Sequence, residues 1–406
     1  MTAATSPPGA LRAATRAVYA VFILSGFVFA SWASRIPQVR DALELTPRSL
    51  GLVLLAMAVG SVISMPLAGV VVGRLGTART IVCMAGLAAV GLASAAVGTR
   101  IGVAPVVVGL FLLGLGYGTW DVAMNVEGAD VERALGRAIM PRFHAGFSVG
   151  TVAGALVGAA MVALGVSVTA HLLGVAVLVV VAGPVSVRGF LAAAHHVEAH
   201  GGPRAHPLRA WTEPRTLLIG LFVFTAAFTE GTGNDWLGIA VIDGYGAAHA
   251  LGSLTFAVFL AAMTLGRWFG PGLLDRWGRV PTIRLLGAVA LAGLVLVVYG
   301  GSLPVAIAGA ALWGLGTALG FPVGMSAASD DPRQAAGRVS VVASVGYVAF
   351  LAGPPLIGFL GDEVGTLRAL TATGGLVALG LLISGVLRPL PVPERVPAAE
   401  PVGAPR

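Results

Sequence analysis

Long apolar runs separated by short polar or basic links recur along the whole chain. Most runs last about 20 residues, the length a helix needs to cross a hydrocarbon core. They are unbroken, without the short apolar/polar alternation of a membrane β-strand. The pattern predicts an all-α membrane protein with about twelve spans. The first six are expected at 16–37, 49–72, 80–98, 103–127, 143–165 and 166–187. The second six are expected at 216–242, 251–274, 281–300, 304–328, 339–360 and 367–387. The implied organisation is an N-tail (1–15), a six-helix bundle (16–187), a polar linker (188–215), a second six-helix bundle (216–388) and a Pro-rich C-tail (389–406).

Composition removes the soluble alternative. At 57% hydrophobic and 11% charged residues over 406 positions, with mean hydropathy +0.91, there is more apolar surface than a soluble fold could bury. The formal charge of +7 comes from arginine, for the sequence contains no lysine. The arginines are spread among the links rather than clustered on one face, so they mark topology and not nucleic-acid contacts. Arg12, Arg16, Arg74, Arg79, Arg133, Arg137, Arg142, Arg188, Arg204, Arg209, Arg215, Arg276, Arg279, Arg284, Arg333, Arg338, Arg388, Arg395 and Arg406 fall with the tails and even-numbered links. Only Arg35, Arg40, Arg48, Arg100 and Arg368 fall opposite, so the expected topology in a bacterial inner membrane has both termini and the linker in the cytoplasm. Arg12 and Arg16 precede the first apolar run as in a signal peptide, but no clear small-residue cleavage site follows, and the run is expected to stay as span 1. The absence of lysine excludes a GxxxxGK[ST] phosphate loop and disfavours ATP-driven transport. The single Cys83 excludes an intrachain disulfide. His195, His196, His200 and His206 in the linker fit no strong zinc spacing, so no metal or cofactor is expected. The expected partners are a small solute, protons and lipid, with the chain acting as a monomer.

The halves resemble one another. SVGTVA at Ser148–Ala153 recurs as SVGYVA at Ser344–Ala349, GLG at Gly114–Gly116 recurs at Gly314–Gly316, and Arg74 with Gly76 is echoed by Arg276 with Gly278. Each pair joins a span to the one six later, as in transporters built from two repeats around a midplane site.

Candidate chemistry lies in three places. In GLGYGTWDVAMN of span 4, Tyr117, Asp121 and Asn125 fall on one helix face, and an intramembrane carboxylate is costly enough to mark a functional site. Asp121 is expected to carry a proton; Asn125, Tyr117 and Trp120 are expected to touch solute, with interhelical hydrogen bonding as the structural alternative. In FTEGTGNDW of span 7, Glu230 is a second proton or substrate site, Thr232 and Asn234 are substrate contacts, and the two glycines are expected to loosen the helix. Arg35 and Asp235 form the third place, an expected gate pairing the halves when the outer side is closed; the alternative is snorkelling of Arg35. Trp32, Trp120, Trp236, Phe321 and Trp313 are stacking candidates or interface aromatics. Gly146, Gly150, Gly154 and Gly158 read as close helix packing, Gly353, Pro354 and Pro355 as a kink, and His144 as a minor relay candidate.

GLLDRWGR, from Gly272 through Asp275, Arg276 and Gly278 to Arg279, resembles the signature loop of the major facilitator superfamily. The first-half copy retains Arg74 and Gly76 but has Gly73 where the family places its acidic residue. These loops are expected to act in conformational change. The Asp121, Ala123 and Asn125 spacing is similar to the fourth span of the fucose, galactose and glucose proton symporters, with Asp in place of their Glu. WASRIP at Trp32–Pro37 and the DVAMN and PRFH segments look more like a poorly characterised bacterial branch. The resemblance implies alternating access, with spans 1, 4, 7 and 10 lining the cavity. The expected function is proton-coupled symport of a small polar or amphipathic solute. A proton-antiport exporter and a transport-inactive scaffold or sensor are the alternatives. No coherent catalytic set is present, so an enzyme is not expected.

Overall fold

The computed structural model describes residues 8–136, 139–191, 209–331 and 334–390. The linker histidines and Arg137, Arg204, Arg333, Arg395 and Arg406 lie outside them. Among the described residues there is no strand, and 12 helices are long and apolar enough to cross a membrane. They are α1 (Gly9–Ala42), α2 (Pro47–Leu75), α3 (Thr77–Gly98), α4 (Val103–Leu135), α5 (Met140–Ala163), α6 (Val168–Gly189), α7 (Pro214–Tyr245), α8 (His249–Trp277), α9 (Arg279–Tyr299), α10 (Leu303–Ala328), α11 (Gly337–Val364) and α12 (Thr366–Leu387).

The duplication is visible in the packing. α1 packs on α5, α2 and α3 on α4, and α6 on α3; the second bundle repeats this with α7 on α11, α8 and α9 on α10, and α12 on α9. Paired glycines make it possible. A methyl on Gly114 would collide with the Met57 carbonyl, and one on Gly314 with the Phe259 carbonyl. Small residues let helix backbones touch where lipid supplies no hydrophobic drive for association. The signature loops match too: Gly76 and Gly278 adopt φ of 77° and 78°, each donating its N–H to the carbonyl four residues back, Val72 or Leu274, at 2.8 Å. Positive φ is cheap only for glycine.

Several boundaries differ from the hydropathy pattern for identifiable reasons. α4 runs past the expected end at 127 to Leu135, because its charged last turns still form helix: Asp130 pairs with Arg133, and Gly136 at φ 65° stops the chain. Glu132 Oε2 then accepts the N–H groups of Ile139 (2.6 Å) and Met140 (2.7 Å) at the start of α5. The expected loosening of α7 is not found. The helix is continuous through Gly231 and Gly233, and Gly233 instead makes room for the Phe259 ring. The interruptions fall at Ser34–Arg35 in α1 and at Ala318–Leu319 in α10.

Gly314→Ala is expected to destabilise the protein by about 1–3 kcal/mol, the usual range for forcing volume into a packed site. Gly174→Ala, which meets no atom within 4 Å, is expected to leave it unchanged. Thermal melting of the two purified variants checks this.

Candidate functional site

Within α4, Trp120, Ala123 and Met124 are buried against neighbouring helices while Tyr117, Asp121 and Asn125 stay partly exposed. The polar stripe therefore opens between the bundles. Asn125 Nδ2 donates to the Asp121 carbonyl at 2.8 Å and to Asp121 Oδ1 at 3.4 Å. Tyr117 lies beside Phe29 of α1 with ring centroids 6.1 Å apart. Across the gap, Tyr347 of α11 is within electrostatic reach of Asp121 and sits 6.4 Å from the Phe350 ring. Among the described residues no arginine or histidine lies within 4.0 Å of the Asp121 carboxylate.

The second wall is organised differently. Arg267 of α8 gives Nη2 to both oxygens of Glu230 at 2.8 Å each, with side chains 29% and 20% exposed. Glu230 is thus an ion-paired carboxylate in this conformation. The sequence reading left Arg267 out of the site, although a charge in mid-span carries the same cost as Asp121. His144 of α5 is exposed and within electrostatic reach of Arg267. Thr232 (2% exposed) and Asn234 (9%) are buried, each with an oxygen that has no hydrogen-bond partner among the described residues. Trp32, Trp120, Trp236 and Trp313 are all buried, so their rings serve packing and do not line the opening. Trp120 precedes Asp121 by one residue, which turns it about 100° around the helix. Phe321 is partly exposed and lies near Gly346 of α11.

The expected pairing of Arg35 with Asp235 is not found in this structure. Arg35 is 1% exposed and donates Nε to His171 Nδ1 at 2.9 Å and Nη2 to the Val166 carbonyl at 3.0 Å. It makes no ion pair with Asp235, because these α6-side acceptors occupy its guanidinium. Asp235 lines a small cavity of about 10 Å³ with Ser34, Pro37 and Asn234. The halves are joined instead by Arg40 to Asp243 at 2.6 Å, Asp41 to His249 at 2.5 Å, the Arg48 N–H to Asp362 at 3.0 Å, and the Ser253 hydroxyl to the Ser34 carbonyl at 3.1 Å. All four lie at the end of the bundles away from the termini.

At the terminal end, the polar contacts between described residues stay within each bundle. Asp330 accepts from Arg215 (2.9 Å) and Arg279 (2.7 Å), and Arg338 pairs with Glu213 at 2.6 Å. Of the remaining loop residues, Gly272, Asp275, Arg276 and Arg74 are exposed. In the first bundle Glu127, 2% exposed, accepts from the Thr77 hydroxyl at 2.5 Å and the Leu191 N–H at 3.0 Å. Neither Glu127 nor Thr77 was singled out from sequence.

Two six-helix bundles joined at one end, with a polar stripe between them, are the architecture of a membrane transporter. The chain belongs to the Major Facilitator Superfamily, whose model matches residues 18–347 and 245–405. It is 32% identical over 383 residues to the uncharacterized transporter y4wD of Sinorhizobium fredii, covering 92% of this chain and 98% of that one. Among solved structures, the nucleoside transporter NupG matches with a TM-score of 0.71 at 14% identity, over 91% of this chain and 97% of that one. The fucose:proton symporter FucP of E. coli matches with 0.62 at 16%, over 92% and 98%. At these identities the two structures speak for the fold alone.

Two outcomes follow from the geometry. Arg267→Met is expected to destabilise the chain more than Arg267→Met/Glu230→Met, since removing one partner strands a charge and removing both does not; melting curves of the two variants test this order. Asp243→Asn is expected to loosen the closed end. In a Cys83→Ser background, Gln38→Cys should then react faster with a polar maleimide than it does without the Asp243 change.

Proposed function

We propose that the chain is a proton-coupled secondary transporter that moves a small polar or amphipathic solute by alternating access of its two bundles, acting as a monomer. Asp121 is the proton-carrying group. The observation that carries this reading is a carboxylate partly exposed between the bundles, with Asn125 as its hydrogen-bonding neighbour and, among the described residues, no arginine or histidine within 4.0 Å. Such a group can cross between two access states when its charge is cancelled, and a proton is the smallest agent that cancels it. Glu230 is the second candidate, coupled through its exchangeable partner Arg267. The arginine distribution favours termini in the cytoplasm of a bacterial inner membrane. In that orientation the latched end faces outward and the Asp121 stripe is reached from inside.

NupG is by name a nucleoside transporter and FucP a fucose:proton symporter, so uridine and fucose are the first solutes to try. The antiport reading uses the same carboxylate and predicts the opposite sign of proton movement. In proteoliposomes, Asp121→Asn is expected to lower pH-gradient-driven flux at least about tenfold, a barrier change near 1.4 kcal/mol, and to flatten its pH dependence. Flux and pH dependence equal to the unsubstituted protein would remove Asp121 from the coupling role.

A further inference from the structure

The hydrogen-bonding character of the Asp121 stripe narrows what it can hold. Both contacts of the Asn125 amide nitrogen are internal, to the carbonyl and Oδ1 of Asp121. What Asn125 turns toward a ligand is therefore its carbonyl oxygen, an acceptor, beside the acceptor-only oxygens of an ionised Asp121. Aromatic rings stand on both sides: Tyr117 with Phe29 from the first bundle, and Tyr347 with Phe350 from the second. The positive charge of the opposite wall is already used, since Arg267 is held by Glu230. The other titratable groups facing the stripe among the described residues are Tyr117 and Tyr347, each within electrostatic reach of Asp121, while His144 on α5 lies within reach of Arg267. The stripe thus presents an unneutralised negative charge, acceptors without free donors on its amide, and π faces.

We infer that this subsite takes the ammonium group of a protonated primary amine, an organic cation whose N–H donors meet Asp121 and the Asn125 carbonyl while its body lies against Tyr117 and Tyr347. The assignment rests on the transporter reading and specifies its substrate class. A neutral polyol offers hydroxyls, but leaves the Asp121 charge for a proton to cancel. An ammonium supplies both the donors and the charge, and aromatic faces favour cations further. Proton and amine then compete for one carboxylate, so the two exchange across the membrane rather than travel together.

Matched probes on the purified full chain test this by thermal shift. Phenethylamine, mostly protonated at pH 7.5, is expected to raise the melting temperature by several degrees, and phenethyl alcohol at equal concentration is expected not to. The amine shift is expected to disappear in Asp121→Asn and to shrink in Asn125→Val, each variant's own unliganded melt reporting its folding. Equal shifts by amine and alcohol, no shift by either, or an amine shift that survives Asp121→Asn would each overturn the assignment. Counterflow of fucose or uridine without an amine shift overturns the amine class and leaves the transporter reading standing. An amine shift in a chain that shows no flux of any tested solute, phenethylamine included, upholds the site and removes transport.

Discussion

A charge inside the hydrocarbon region must be neutralised by a partner, by water or by a proton, and the placement of polar groups in this chain follows from how each charge meets that demand. Glu230 and Arg267 meet it within one bundle, one nitrogen serving both carboxylate oxygens. Arg35 meets it in part, with a neutral imidazole nitrogen and a carbonyl from the end of α5 and start of α6. Asp121 has only Asn125 on its own helix. Asp235, in its small cavity beside Ser34 and Pro37, likewise has no ion pair among the described residues.

The closed end combines a firm seam with weak latches. On α2 and α11, added methyls at Gly51 and Gly358 would meet the Pro354 carbonyl at 2.5 Å and the Pro47 carbonyl at 2.6 Å, so the backbones there touch directly. Around this seam stand Arg40–Asp243 and Asp41–His249, whose side chains are 13% to 43% exposed. Exposed pairs of this kind contribute only about 0.2–1 kcal/mol each. A few such pairs hold this arrangement without locking it, which is what the proposed alternating access would need, since a solute can shift an equilibrium only by its differential affinity for the two states.

Much of this was legible in the sequence because the bilayer imposes a length and a composition on each span, and twelve runs satisfying both admit few folds. Asp121 and Asn125 were legible for the same reason: their cost stands out against apolar neighbours. The helix ends were not, because Asp130, Glu132 and Arg133 suit a solvated helix as well as a loop. The glycines of α7 were read as breakers when Gly233 is a packing notch, two roles that composition alone does not separate. Arg267 was visible inside span 8 and was left out of both the topology count and the site. The tie from Arg35 to His171 spans 136 positions, and nothing local in either segment points to the other.

The duplication itself separates scaffold from chemistry. The offset that carries Gly114 onto Gly314 carries Asp121 onto Phe321 and Asn125 onto Met325, and the offset that carries Met57 onto Phe259 carries Met65 onto Arg267. Packing glycines and signature-loop turns repeat between the halves, because both bundles must solve the same problem of bringing helices together in lipid. The membrane-embedded charges Asp121 and Arg267 do not repeat. A symmetric cavity would place like charges opposite one another at the seam, where they would repel in a low dielectric. With Asp121 on α4 and the Glu230–Arg267 pair on α7 and α8, the two walls carry different charge patterns, an unpaired acid facing a paired one.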